Sequence, residues 1–591
     1  MSVRAQRRSG LAQPPENRAA EGRMSSWDLL FLAAGGVIGS GWLFAGTGVD
    51  KVAGSWGVVS WLIGGLLLVV VTAVMVEVST KVPKTGGLIF LPLQTSGPLL
   101  ATLVAAGVWA YYAASPAGES TAMVQNLAAW GPWPSLFDTA NDKPTWGGIG
   151  LGVFFLVLVT APSLLRPRRF LTVNNVLTAF KIFVPLLIVV LLGCALIWPP
   201  AHPVRLPPGA SPGAGQLGSA LGTIVSSGVI YSYLGFQGPL DFAGNVRGGG
   251  IGERARLRRA VYGTVLGSIL LYAALQGVII YLKYHSTGAV DGTSSSVYTS
   301  FAGAVVRPDW LATAVTWLIN LDSVLSPAGT AMIFTYVMTR EVAALSRAHL
   351  THRGLQRSKN SVIRLPEGLL RAVFDDDRLD VYWRILLVDF VISLLVLLFT
   401  RGYWSVIKDI PTTLALLVYA TPSIVLASLR LHKPDLFPRR RYAFMAPVSF
   451  AALAVVFVVT AEDDVLWGMG MLAVFCLVLF GLPVVAPMAR WYDARAYVRE
   501  FGELRTSTAA QLAAVLGGYF GLLTLAEVVR SVWPTWAGAA LDAAGLAVVV
   551  AVSLIAFRLL VRLSARYLAT NPPLLPKPRP AGAETATGTS S

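Results

Sequence analysis

Charge is scarce in this chain: Asp, Glu, Lys and Arg make up 13% of its 591 residues, against roughly a quarter in a soluble domain. That excludes an ordinary soluble enzyme. There are two cysteines, Cys194 and Cys476, each inside an apolar run, so neither a disulfide framework nor a zinc cluster can be built, and both read as small core residues. The five histidines (His202, His285, His349, His352 and His432) fall in loops or at the ends of apolar runs and do not cluster. There is no His-Glu-x-x-His zinc site and no Gly-Lys-Ser/Thr phosphate loop. The stretch Gly118-Glu119-Ser120-Thr121-Ala122 has the outline of a nucleophile elbow, but it lies in a helical run without the strand-to-helix turn that this chemistry needs. The expectation is a protein that is not an enzyme and carries no cofactor or metal.

What the chain has in abundance is apolar sequence: 54% hydrophobic residues and a mean hydropathy of +0.62. Runs of about 20 apolar residues, the length of a membrane helix, recur along it. Fourteen are read, near residues 27–49, 55–79, 98–128, 146–164, 170–198, 217–244, 260–283, 310–340, 384–400, 411–430, 444–461, 466–489, 508–530 and 541–563. The net charge of +16 raises the alternative of a nucleic-acid partner, but a basic DNA-binding domain would not carry such runs. Assigned to alternate sides from a cytoplasmic N-terminus, 38 of the 47 basic residues fall on the cytoplasmic side and 8 outside, and Lys181 is left inside a span. This asymmetry predicts both termini in the cytoplasm of a multi-pass protein of the cell membrane.

The Arg-rich residues 1–26 read as a cytoplasmic tail and not as a signal peptide. Residues 571–591 read as a disordered tail. In the cytoplasmic loop 341–383, the spaced residues Val362, Ile363, Leu365, Leu369, Leu370, Val373 and Phe374 fit either a short interfacial helix or a solvated loop.

Non-helical backbone at membrane depth survives only where it lines a cavity or is buried in protein. The first span contains Gly35, Gly36, Gly39 and Gly41 within seven residues, each costing a helix roughly 1 kcal/mol relative to alanine. Taken alone, that pattern also fits close helix packing. The sixth span carries a matching weakness, Gly235-Phe236-Gln237-Gly238-Pro239, and runs in the opposite direction under the charge assignment. This predicts an all-α integral membrane protein with an inverted five-plus-five helix repeat broken in its first and sixth helices. The repeats would cover residues 27–198 and 217–430, and four additional C-terminal transmembrane helices would follow in 444–489 and 508–563.

Several segments then carry a family resemblance. They are Gly36 to Gly41, Pro83-Lys84-Thr85-Gly86-Gly87, Asn175 to Lys181, Gly235-Phe236-Gln237 with Asp241-Phe242-Ala243-Gly244, Ser326-Pro327-Ala328-Gly329-Thr330, and Leu429-Arg430 with Pro434-Asp435. In this order they resemble the amino acid-polyamine-organocation superfamily of transporters, over about residues 25 to 490. The fourteen spans look most like the bacterial branch that includes aspartate/proton symporters. The chain departs from the family pattern at Gln237, where an acidic residue is frequent, and at Asn245 to Gly250, which replace a Glu-Lys-Asn-Pro run.

The resemblance implies a permease that moves an amino acid by alternating access, as a proton-coupled symporter. An amino acid/polyamine exchanger and a non-transporting nutrient sensor are the alternatives. Helix ends can hold a zwitterion without charged side chains. In this reading the amides of Ser40 and Gly41 take the carboxylate, and carbonyls at Val37 and Ile38 and near Tyr231 and Tyr233 take the ammonium. Gly39, Gly41 and Gly235 are small because a Cβ would stand between ligand and backbone. Tyr231, Phe236 and Gln237 line the side-chain pocket, and Glu119 faces the ligand ammonium.

Ionisable residues deep in spans are functional candidates by default. Lys181 is the expected proton-coupling group, placed by the resemblance against the break in span one; a structural lysine paired to a carboxylate is the alternative. Asp322 is its expected partner or relay, with Ser326 one turn on. The expected partners are the amino acid, a proton ahead of sodium, and the lipid bilayer, with self-association left open.

Overall fold

The computed structural model describes residues 24–573 except 166, 199–203, 206–216, 244–250, 288–293, 357–380, 461, 486–498, 500–501 and 533–542. The interfacial segment read at 362–374 therefore lies outside the described residues, as do most of both tails.

The described residues are all-α apart from two-residue strand pairs. Helix α1 (Ser26–Val37) opens on a capping box, in which Ser25 Oγ accepts the Asp28 N–H at 3.1 Å and Asp28 Oδ2 accepts the Ser25 N–H at 2.7 Å. After a break at Ile38–Ser40 the chain resumes as α2 (Gly41–Ala53) and then α3 (Gly57–Lys81). Gly86 at φ +71° starts α4 (Gly87–Ser96), and Gly97 at φ +88° turns the chain into α5 (Pro98–Trp130). These two left-handed positions suit glycine. Next come α6 (Trp146–Thr160) and α7 (Pro167–Ile197).

The segment read as span six is divided into α8 (Leu217–Ser226), α9 (Val229–Tyr233) and α10 (Gly238–Asp241). The first division falls at Gly228, φ +83°, and the second includes Gly235, φ +109°. Then follow α11 (Ile251–His285), α12 (Ser294–Val305), α13 (Asp309–Arg347), α14 (Trp383–Phe399), α15 (Trp404–His432) and α16 (Arg441–Val459). Helix α17 (Glu462–Cys476) passes through a π-helical turn at Leu477–Gly481 into α18 (Leu482–Val485), and α19 (Thr508–Val532) and α20 (Ala543–Thr570) complete the order.

Among the described residues, ten helices are long and apolar enough to cross a membrane. Fourteen runs were expected. Of the other four, two lie in the broken segments and one is the 17-residue α14. The last is α13, whose apolar residues are diluted by Asn320, Asp322, Ser323 and Ser326.

Helix α5 is the centre of the packing, flanked by α13, α15, α14 and α6, and it is buried along most of its length. Outer helices show the reverse: Phe154, Val157 and Leu158 on α6, and Val176, Phe183, Leu186 and Val190 on α7, are exposed. Apolar residues covering a helix's outward face suit contact with lipid tails. Cys194 is exposed on α7 and Cys476 is only partly buried. The reading of both as core residues is thus corrected for Cys194: an apolar run in such a chain has an outward face as well as an inward one.

Candidate functional site

The two breaks touch. A Cβ on Gly36 would lie 2.8 Å from the Gly235 carbonyl oxygen, and one on Gly41 would lie 2.6 Å from Ser232 Cα. These glycines therefore let two irregular segments pass at backbone distance. The expected reason, that a Cβ would stand between ligand and backbone, is corrected: at Gly39 the Cβ would meet Thr330, and at Gly41 it would meet Ser232.

Loss of helical pairing leaves backbone groups that need partners, and α7, α11 and α13 supply them. Lys181 Nζ, with no exposed surface, donates to Gly35 O at 2.7 Å and to Thr330 Oγ1 at 2.9 Å. Thr330 Oγ1 lies 2.9 Å from Gly35 O and 3.0 Å from Ile38 O, and gives its proton to one of them. Ser326 Oγ donates to Ile38 O at 3.2 Å and accepts from Trp42 Nε1 at 3.4 Å. The Tyr272 hydroxyl bridges the two breaks, 2.9 Å from Val37 O and 3.1 Å from Ser232 O. The Ile38 carbonyl assigned to a ligand ammonium therefore already has a donor in Ser326, and the Val37 carbonyl shares the single Tyr272 proton with Ser232 O.

The Ser40 amide, assigned to a ligand carboxylate, donates to Glu119 Oε2 at 3.0 Å. The other oxygen, Oε1, accepts from the Tyr231 hydroxyl at 2.8 Å. Trp404 closes the group: its Nε1 donates to Ser40 Oγ at 3.3 Å, and its ring meets Tyr231 edge-on at 5.8 Å. Tyr233 turns away from this centre, donating to Trp61 O at 2.9 Å.

Gln237 is buried in a tyrosine cluster. Its Nε2 donates to Tyr111 and Tyr112 hydroxyls at 3.0 and 3.2 Å, while Oε1 accepts from Tyr419 at 2.7 Å and from the Gly235 amide at 3.1 Å. Phe236 packs on Tyr419 at 5.4 Å. Asp241 Oδ2 accepts from Tyr112 at 2.7 Å, and the Asp241 backbone carbonyl accepts the Gly86 N–H at 3.0 Å. The Asp241 carboxyl also lies beside that of Glu341, whose oxygens accept the Leu88 and Ile89 amides at 3.4 and 3.2 Å.

One expected pairing is absent. Lys181 forms no ion pair with Asp322, whose two carboxyl oxygens are buried without a hydrogen-bond partner among the described residues. Lys181 instead meets α13 at Thr330, eight positions beyond Asp322, about 12 Å along the helix. Sequence reading missed Thr330 as a Lys181 partner, the roles of Trp404, Tyr272, Tyr111, Tyr112 and Tyr419, and Glu341. Thr330 had been quoted within a motif and Glu341 is ionisable near a span end; the aromatic residues gave no signal until their distant partners were known.

Among the described residues no group of His, Cys, Asp or Glu could hold a metal ion. A largely α-helical chain with many membrane-length helices, whose interrupted segments meet around buried polar groups, has the build of a multi-pass membrane transport protein. Residues 24–491 match the family model described as amino acid permease, so the chain belongs to the amino acid permease family. It is 27% identical over 465 residues to an aspartate-proton symporter of Bacillus subtilis (strain 168), covering 77% of this chain and 82% of that one. It is 24% identical over 493 residues to the glutamate/serine transporter AimA of the same organism, covering 81% and 83%.

Proposed function

We propose that this permease is a secondary active transporter that carries an α-amino acid by alternating access, with proton symport as the driving reaction. Fourteen spans in the cell membrane, both termini cytoplasmic, complete the reading. Spans one to ten would form two inverted five-helix repeats and the last four helices an addition. The binding region would be the crossing of the breaks, with Val37 to Gly41, Glu119, Tyr231, the backbone of Tyr233 and Gly235 to Gln237 around the ligand and Lys181, Asp322 and Ser326 serving the proton.

The observation that carries the coupling is the setting of Lys181. Its side chain is fully buried, rests on the carbonyl of Gly35 at the break and on Thr330, and makes no ion pair with any described residue. A buried cation without a counter-carboxylate is costly, and its gain or loss of a proton would act directly on the backbone where α1 gives way to α2. The aspartate-proton symporter among its relatives supports the same coupling.

The test is uptake of radiolabelled L-aspartate, L-glutamate and L-serine into proteoliposomes with an imposed pH gradient. Accumulation above equilibration, abolished by a protonophore, is expected. Uptake that needs a preloaded internal substrate would overturn symport, and no uptake of any of the twenty amino acids would overturn the transporter reading.

A further inference from the structure

Glu119 stands where the amino acid reading would seat the ligand. The carboxylate of an amino acid and the carboxylate of Glu119 seek the same donors. Here the chain's own carboxylate holds them: Oε2 on the Ser40 amide at 3.0 Å and Oε1 on the Tyr231 hydroxyl at 2.8 Å. The side chain is 1% exposed, so this is a built contact and not a surface one. Position also matters. The Ser40 amide lies at the start of α2, where backbone N–H groups favour an anion, and Trp404 fixes the Ser40 side chain at 3.3 Å from the other flank.

Two anions repel strongly over one amide in a buried site, where solvent screens them little. We propose that Glu119 is a built-in occupant of the carboxylate seat at Ser40, and that an amino acid binds by displacing it or by finding it protonated. The proposal rests on the amino acid reading above and deepens it. It reverses the role expected from sequence, in which Glu119 attracts the ligand ammonium. It also sets selectivity: a ligand with a carboxylate competes with Glu119, whereas an amine without one does not.

The ionisable groups acting on Glu119 are Tyr231 on α9 and Lys181 on α7, with the Tyr272 phenol on α11. Asp322 on α13 acts on Lys181, and on α15 Lys408 pairs with the adjacent Asp409. As pH rises, ionised Glu119 competes harder, and affinity for a carboxylate ligand falls. Lys181 is present in both wild type and a Glu119→Gln variant but feels the Glu119 charge, so a ligand without a carboxylate is needed to separate competition for the seat from an effect passed through Lys181.

The experiment is equilibrium binding of L-aspartate, L-serine and ethanolamine, which is serine without its carboxylate, to the full chain in nanodiscs. At about pH 8, Glu119→Gln is expected to bind both amino acids roughly tenfold tighter than wild type, the scale of one charge-assisted hydrogen bond. At about pH 4 the difference between the two proteins is expected to shrink, because carboxyls take up protons there. Ethanolamine is expected to gain nothing. Tyr231→Phe, which removes one of the donors holding Glu119, is expected to raise amino acid affinity in the same direction by about threefold and guards against a variant that misfolds. Amino acid binding that weakens, or stays equal at both pH values, in Glu119→Gln overturns the proposal alone. No binding of any of the twenty amino acids by either protein overturns the amino acid reading and the proposal with it.

Discussion

Lys181 supplies a donor to a carbonyl that a helix break leaves unpaired. It shares the Gly35 carbonyl with Thr330, so removal of the side chain leaves one donor where two stood and costs about 1–3 kcal/mol for the buried polar group. Thr330 can still hold the carbonyl, and the break is expected to survive. Lys181→Ala is therefore predicted to lose pH-gradient-driven accumulation of L-aspartate or L-serine, with the internal concentration falling to equilibration, while one-for-one exchange continues. Proteoliposomes at matched protein content measure both. Full accumulation by the variant would remove Lys181 from coupling. Lys181 was legible in the sequence as the lone basic residue deep in a span. Its partner was not, because Asp322 and Thr330 lie on the same helix two turns apart, and only the packing of α7 against α13 chooses between them.

The breaks in spans one and six belong to elements, and the glycine and proline spacing announced both of them. The cause of the glycines was less legible, since a one-dimensional pattern gives the loss of helix but not what approaches the bared backbone. At Gly235 two demands coincide: φ is +109°, and an added Cβ would lie 2.8 Å from Gly36 Cα. Gly235→Ala is predicted to destabilise the protein by about 2 kcal/mol or more through backbone strain and overpacking. Its thermal midpoint in detergent is then expected to fall by several degrees with reduced yield, read by size-exclusion chromatography after heating. Gly150 on α6 has open space where a Cβ would go, so Gly150→Ala serves as the control and is expected to leave the midpoint unchanged or slightly raised. Equal behaviour of the two variants would show that the crossing of the breaks does not require glycine.

Across the whole molecule the distribution of basic residues predicts an orientation, because cytoplasmic loops retain Lys and Arg during insertion. The described loops offer places to test it. Ala140 is exposed in the turn of the short hairpin pairing Phe137–Asp138 with Lys143–Pro144, between α5 and α6, and the charge assignment puts it outside. Asp435 is exposed between α15 and α16, beside Lys433 and the run Arg439 to Arg441, and falls inside. With only Cys194 and Cys476 to remove, a cysteine-free background needs two serine substitutions. In that background Ala140→Cys is predicted to react with a membrane-impermeant maleimide in intact cells. Asp435→Cys is predicted to react only after permeabilisation. An odd number of membrane crossings separates the two positions in the fourteen-span reading, so labelling of both from the same side would mean that a helix between α6 and α15 fails to cross. Of the unbroken spans between them, α14 by its length and α13 by its polar residues argue most weakly for crossing, and the same labelling at Arg401, exposed between α14 and α15, would locate the fault.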